Sequence, residues 1–196
     1  MKNYFSLLLF LLFSTKTFAQ QNSLIFHNKE RERLSSNGIK ILTTYSAVNI
    51  IYGSIAASQT TGSNKYFHEM NAIWNGITLG ITGIGLLTAK KEGELNYSAS
   101  LKKQGKIEKL FLFNAGLDVA YIMGGAYLME KSKINNLRTA KLKGYGESVM
   151  LQGGVLFLFD SIMYALHNKY GKLLNKMAEK VHLTSTENGV GLFLKL

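Results

Sequence analysis

The 196-residue chain has no cysteine and no proline. Without cysteine there can be no disulfide, thiolate metal site or lipidated-cysteine anchor. If the chain is exported to an oxidising compartment, it must be stable there without cross-links. Without proline the commonest helix breaker is missing, so helices are free to run long. Acids are scarce too: 12 Asp and Glu stand against 23 Lys and Arg, for a net charge of +11. There are four histidines. His68-Glu69 begins like a zinc-protease helix, but Ala72 stands where HExxH needs its second histidine. A zinc site would have to gather His68 with the distant His27, His167 or His182. Neither the GxxxxGK phosphate loop nor the GxSxG serine elbow occurs. No metal or cofactor is therefore expected, and an enzyme is the less favoured class.

The first 19 residues, MKNYFSLLLFLLFSTKTFA, read as a secretory signal peptide. Lys2 supplies the positive start, and Leu7–Phe13 an apolar run too short to cross a bilayer. Thr17 and Ala19 put small residues three and one before a cut at Gln20. An uncleaved anchor is the alternative. Residues 20–38 form a polar amino-terminal segment.

Beyond the leader, the cations divide the chain into segments. No Lys or Arg occurs in 41–64, 66–89, 110–130 or 144–168. Each gap holds about 20 mostly apolar residues, the length of a membrane-crossing helix. The spacing predicts helices over 39–58, 69–89, 110–129 and 147–166. The fold class is all-α, a four-helix transmembrane bundle over 39–168. The cations between these stretches would meet anionic lipid headgroups, so the expected partner is a bilayer and not nucleic acid. Mean hydropathy is only +0.04, which keeps a soluble four-helix bundle open. Glycines in three of the segments (Gly76, Gly80, Gly83, Gly85, Gly116, Gly124, Gly125, Gly153 and Gly154) are expected to let helices approach closely.

Orientation is contradictory. A cleaved signal peptide puts Gln20 outside and makes the 59–66 and 131–146 loops cytoplasmic, where they carry six cations. The opposite side carries 15, against the positive-inside rule. Past the fourth segment, Tyr170, Leu173, Leu174, Met177, Ala178 and Val181 repeat at helical spacing, with Lys169, Lys172, Lys176 and Lys180 largely opposite. This predicts a basic amphipathic helix, either on a membrane surface or packed back onto the bundle. Asn188–Leu196 alternates as one short strand would, either a loose end or an edge for a protein partner.

Polar residues run in stripes along the apolar segments. The second carries His68, Asn71, Asn75, Thr78 and Thr82; the third Asn114, Asp118 and Tyr121. The first carries Tyr45, Asn49 and Tyr52; the fourth Gln152, Asp160, Tyr164 and His167. In lipid such groups must face one another. The candidate polar interior is Asn49, His68, Asn71, Asn75, Asn114, Asp118, Tyr121, Gln152 and Asp160. At about 1.5 Å per residue, Asp118 lies roughly 12 Å inside the third helix and Asp160 roughly 9 Å inside the end of the fourth. Antiparallel helices bring the two to similar depth. Tyr45–Tyr52 also lies over Asn114–Tyr121, a faint repeat that suggests two parallel two-helix units.

Three stretches carry a resemblance: Tyr66–Asn75, Asn114–Tyr121 and Gly144–Asp160. Together, over roughly 24–168, the chain resembles a family of uncharacterised bacterial four-helix membrane proteins with signal peptides. The resemblance implies a fold and an envelope membrane, inner or outer, and no activity. Three functional classes stand: a structural or interaction protein of the envelope, a binder or carrier of a small molecule, lipid or proton, and an intramembrane enzyme. The first requires least.

Overall fold

A computed structural model describes the backbone of residues 2–88, 95–134, 137–179, 181–186 and 189–194, with side chains for 23–88, 95–134 and 137–176. Four helices follow one another: α1 (Lys2–Gln59), α2 (Gly62–Thr88), α3 (Tyr97–Ile134) and α4 (Thr139–Glu179). The body of the protein is all-α. With no proline to interrupt it, α1 runs from Lys2 through residues 20–38 into the first apolar stretch. The side chains of residues 1–22, where the signal peptide is expected, lie outside the described residues. Thr60 and Thr61 turn the chain into α2, and Gly62 takes φ 61°, a left-handed conformation that glycine adopts without Cβ strain. Asn96 caps α3, its Oδ1 accepting from the Ala99 amide at 2.9 Å.

α1 packs on α2 and α3 packs on α4, as two antiparallel hairpins. The hairpins join where α2 lies along α4, while α1 barely touches α3. α4 is thus the hub, in contact with the other three. This is the pairing that two parallel two-helix units would make. Beyond Glu179 the backbone forms a small antiparallel ribbon, β1 (Val181–Thr186) against β2 (Gly189–Leu194), with Val181 opposite Leu194. Val181 therefore belongs to a strand and not to the amphipathic helix. Residues 169–179 are no separate surface helix. They continue α4 unbroken, with Leu174 fully buried against the bundle.

The packing is inside-out. Among the described residues only Ala115, Val149, Met163 and Leu174 are buried hydrophobics, against fifteen buried polar or charged residues. The outside of α2 presents Ile73, Ile77, Ile81 and Ile84, and that of α4 Leu151, Leu158 and Ile162. A water-soluble bundle places these the other way round. α2, α3 and α4 are long and apolar enough to cross a membrane. α1 is not among them: Thr43, Thr44, Ser46, Asn49 and Ser54 dilute its apolar stretch, although Ile41, Val48, Ile51 and Ile55 are exposed along it.

The glycines divide. A Cβ on Gly125 would lie 2.6 Å from the Gly146 carbonyl oxygen, and one on Gly146 would lie 2.6 Å from that of Gly125. α3 and α4 meet backbone to backbone there. Gly53 admits α2, and Gly153 lets α4 approach the Asp118 carbonyl. Gly76, Gly80, Gly83, Gly116, Gly124 and Gly154 face open space, so the expectation that they pack helices fails for them. Spacing by four places small residues on one face, but does not say whether a neighbour lies there.

The helices also outrun the apolar stretches. α3 starts 13 residues before Leu110 and α4 runs 13 residues beyond Leu166, about 20 Å each. Together with residues 23–38 of α1 they form a polar three-helix extension.

Candidate functional site

The buried polar residues separate into two groups within the apolar stretches and a third in the extension. The first joins α1, α2 and α4. Tyr45 Oη donates to Gln152 Oε1 at 3.1 Å, and Gln152 Nε2 donates to Asn71 Oδ1. Asn71 Nδ2 donates to Asn49 Oδ1 at 3.1 Å, and Asn49 Nδ2 returns to the Tyr45 carbonyl at 2.9 Å. Asn75 Nδ2 also donates to Asn71 Oδ1, at 3.1 Å. Asn49, Asn71 and Gln152 each use both ends of the amide, as a buried amide must. Asn71 is the junction because it lies on the α2 face that meets both neighbours. Asn75 Oδ1, Ser46 Oγ and Ser148 Oγ are buried without a hydrogen-bond partner.

The second group joins α3 to α4. Asp118 (3% exposed) and Asp160 (6%) face each other across the α3–α4 seam, with Asn114 beside Asp160. Two buried carboxyl groups side by side repel when both are ionised, and they can bond each other only where one carries a proton. Asp118 Oδ2 has no partner.

The remaining candidates do not enter this interior. Tyr121 is 38% exposed and meets Trp74 edge-on at 4.8 Å, so its placement among the inward residues is corrected. A phenol tolerates the boundary because its ring is apolar and its hydroxyl is not. His68 lies between Tyr52 and Phe67, both edge-on, with Nδ1 buried and unpartnered. Glu69 turns aside to accept from Tyr145 Oη at 3.3 Å. His68 and Glu69 thus have separate partners, and among the described residues no three His, Asp or Glu cluster as a metal site would require.

The third group is largely hidden from the sequence patterns. In the extension, Arg31 of α1 is fully buried and donates from Nη1 to Ser100 Oγ at 3.0 Å. Ser100 Oγ in turn donates to Asn28 Oδ1. Gln104 Nε2 bridges the His167 carbonyl (2.6 Å) and Glu108 Oε1 (2.8 Å). His167 is buried, stacked on Phe111 at 5.4 Å. Gly171 admits the Glu108 carboxylate where a Cβ would collide with it. His27 Nε2 lies 2.7 Å from the Tyr170 carbonyl, which can only accept. Nε2 therefore carries the proton, and the buried Nδ1 is bare. The one available signal is spacing: His27 to Arg31, Ser100 to Gln104 and Gln104 to Glu108 are each four apart, the step of one helix face.

Burial pushes His27 below its ordinary value of 6.5, and Arg31 beside it pushes the same way; the Tyr170 carbonyl and Glu108 oppose. Above about pH 6.5 the ring is neutral folded and unfolded, and costs nothing. As pH falls below that value the unfolded chain takes the proton first, so stability is lost. We expect the melting temperature of the reconstituted protein to fall between about pH 7.5 and about pH 5. His27→Gln keeps an N–H for the Tyr170 carbonyl but cannot titrate, so it should flatten part of that slope. An unchanged slope in His27→Gln would remove His27 as the cause.

Residues 41–161 match a family described as a family of unknown function, DUF6992. The chain belongs to that family. The matched stretch contains the amide network and the aspartate pair, and leaves out His27, Arg31 and His167. No curated protein and no solved structure matches the chain.

Proposed function

We propose that this is an exported multi-pass membrane protein of the bacterial envelope with a structural or interaction role, its polar interior pairing helices and not performing chemistry. The observation that carries this reading is the closed circuit Tyr45–Gln152–Asn71–Asn49, whose hydrogen-bonding capacity goes largely to neighbouring helices. A catalytic or transport site keeps open valences around a space for substrate, often at a broken helix; here the helices run unbroken. The apolar exterior supports a lipid environment, and the cations flanking it support anionic headgroups as neighbours.

Location and orientation are tested together on the natural cysteine-free background. Gly62→Cys, Tyr97→Cys, Asn135→Cys and Ser185→Cys should label in two pairs, 62 with 135 on one side and 97 with 185 on the other. Carbonate extraction should leave the protein in the membrane pellet, and its mass should begin at Gln20. Labelling of all four positions from the same side defeats the membrane-spanning reading. A second reading, a proton-linked carrier, is favoured by one observation, the buried and unpartnered Asp118 Oδ2 beside a second buried carboxyl, Asp160.

A further inference from the structure

One face of α4 changes character along its length. Ile162, Ala165 and Leu166 are exposed and apolar; Lys169, Lys172 and Lys176, at steps of three and four, are exposed and basic. The opposite face (Met163, His167, Gly171 and Leu174) is buried, which fixes the rotation of the helix. A groove of about 490 Å³ follows the basic turns, lined by Tyr164, Ala165, Asn168 and Leu173 as well as the three lysines. Asn168 Nδ2 donates to Tyr164 Oη at 3.4 Å along it. Among the described residues no acid pairs with Lys169, Lys172 or Lys176.

The change coincides with the end of the fourth apolar stretch. Lys169 lies about 4.5 Å, Lys172 about 9 Å and Lys176 about 15 Å past Leu166 along the axis. The headgroup layer is about 5–7 Å thick on each side of the hydrocarbon, and a lysine stem reaches several ångströms along the helix. Lys169 and Lys172 therefore reach one headgroup depth, and Lys176, a turn further out, can turn its stem back toward it, the direction in which helical side chains lean. Three like charges on successive turns repel, and an anion between them removes that repulsion. Below it, Ile162, Ala165 and Leu166 give an apolar track for an acyl chain.

We propose that this groove is a binding site for the phosphate headgroup of an anionic phospholipid, with an acyl chain along Ile162–Leu166. The proposal rests on the membrane reading above. The lysines make the electrostatic contact with the phosphodiester; Asn168 and Tyr164 offer neutral donors at its rim.

Native mass spectrometry of the full chain in mild detergent tests it, with phosphatidylglycerol, phosphatidylcholine or glycerol phosphate added. Phosphatidylglycerol should be retained, phosphatidylcholine far less, and glycerol phosphate, which lacks the chains, should not compete. A lysine near an anionic surface is worth roughly fivefold in binding, so Lys169→Gln/Lys172→Gln/Lys176→Gln should lose roughly a hundredfold. The triple Lys→Arg variant should keep binding, as should Lys102→Gln/Lys106→Gln, equally basic positions on α3. Wild-type retention should also fall as salt rises from about 0.1 M to about 1 M, where the screening length shrinks roughly threefold. Equal retention of phosphatidylcholine, undiminished retention by the triple Gln variant, or displacement by glycerol phosphate overturns the site. Carbonate extraction separates the two proposals. A wild type that leaves the pellet ends the membrane reading and the site with it; one that stays but ignores phosphatidylglycerol ends the site alone.

Discussion

Gly146→Leu is expected to lower the melting temperature of the reconstituted protein by about 10 °C or to prevent its accumulation. Even a Cβ at this position would stand 2.6 Å from the Gly125 carbonyl oxygen and 2.9 Å from the Met129 amide nitrogen. Both obstacles are backbone, so no side chain can rotate away, and the two helices must separate. Overpacking a well-packed contact costs about 1–3 kcal/mol when neighbours can adjust. With backbone on both sides the cost should exceed about 3 kcal/mol, and in a chain of this length each kcal/mol moves the midpoint by roughly 2–4 °C. Separation at Gly146 also strains the rest of the α3–α4 seam, which includes Gly153 against the Asp118 carbonyl. Gly124→Leu and Gly154→Leu are the comparison. Each meets open space and projects from the bundle, so each should stay within about 0.5 kcal/mol of wild type. If Gly124→Leu proves as damaging as Gly146→Leu, the seam does not run where the structure puts it.

That contrast marks the limit of what the sequence discloses. The rhythm of cations locates all four helices, because a charge inside an apolar stretch is costly enough to leave a clear gap. The four-residue spacing of Asn71 and Asn75, and of Asn114 and Asp118, puts each pair on one inward face. Periodicity fixes a face but not its neighbour. It gives Gly124 and Gly125 equal standing, and only the packing of α3 on α4 distinguishes them. It also merges four stripes into one interior, whereas α4 as hub divides them, Gln152 toward α1 and α2 and Asp160 toward α3. The extension escapes notice for a different reason. Arg31, Ser100, Gln104 and Glu108 lie in stretches whose polarity reads as solvated surface, since polar composition does not reveal that three such helices pack together. The amphipathic pattern of 169–181 is real in its periodicity but misleads about the element: its buried side is the hub helix continued, and its far end is a strand that begins at Val181.

Asp118→Leu should destabilise the protein by about 1–3 kcal/mol, the cost of leaving a buried polar group without its partner. Asp160 keeps Asn114 beside it but loses the carboxyl it faces, and leucine offers no polar group in return. Asp118→Asn should come within about 1 kcal/mol of wild type, because the amide can donate to an ionised Asp160 or accept from a protonated one. The double variant Asp118→Leu/Asp160→Leu distinguishes a pair from two independent residues. Independent losses would add. A pair behaves otherwise: once both carboxyls are gone no buried acid is left unmatched, and two leucines fit an apolar seam, so the double variant should be more stable than the sum of the single changes and comparable with the less damaging of them. A strictly additive double variant would show that the carboxyls do not depend on each other. Function separates the remaining alternative. A structural pair tolerates asparagine, whereas a proton carrier cannot, since an amide does not exchange a proton at working pH. An Asp118→Asn protein that melts like wild type yet loses its cellular phenotype would therefore move the proton-linked reading ahead of the structural one. Retention of the phenotype by Asp118→Asn, together with a non-additive double variant, would fix the aspartates as the polar clasp between α3 and α4.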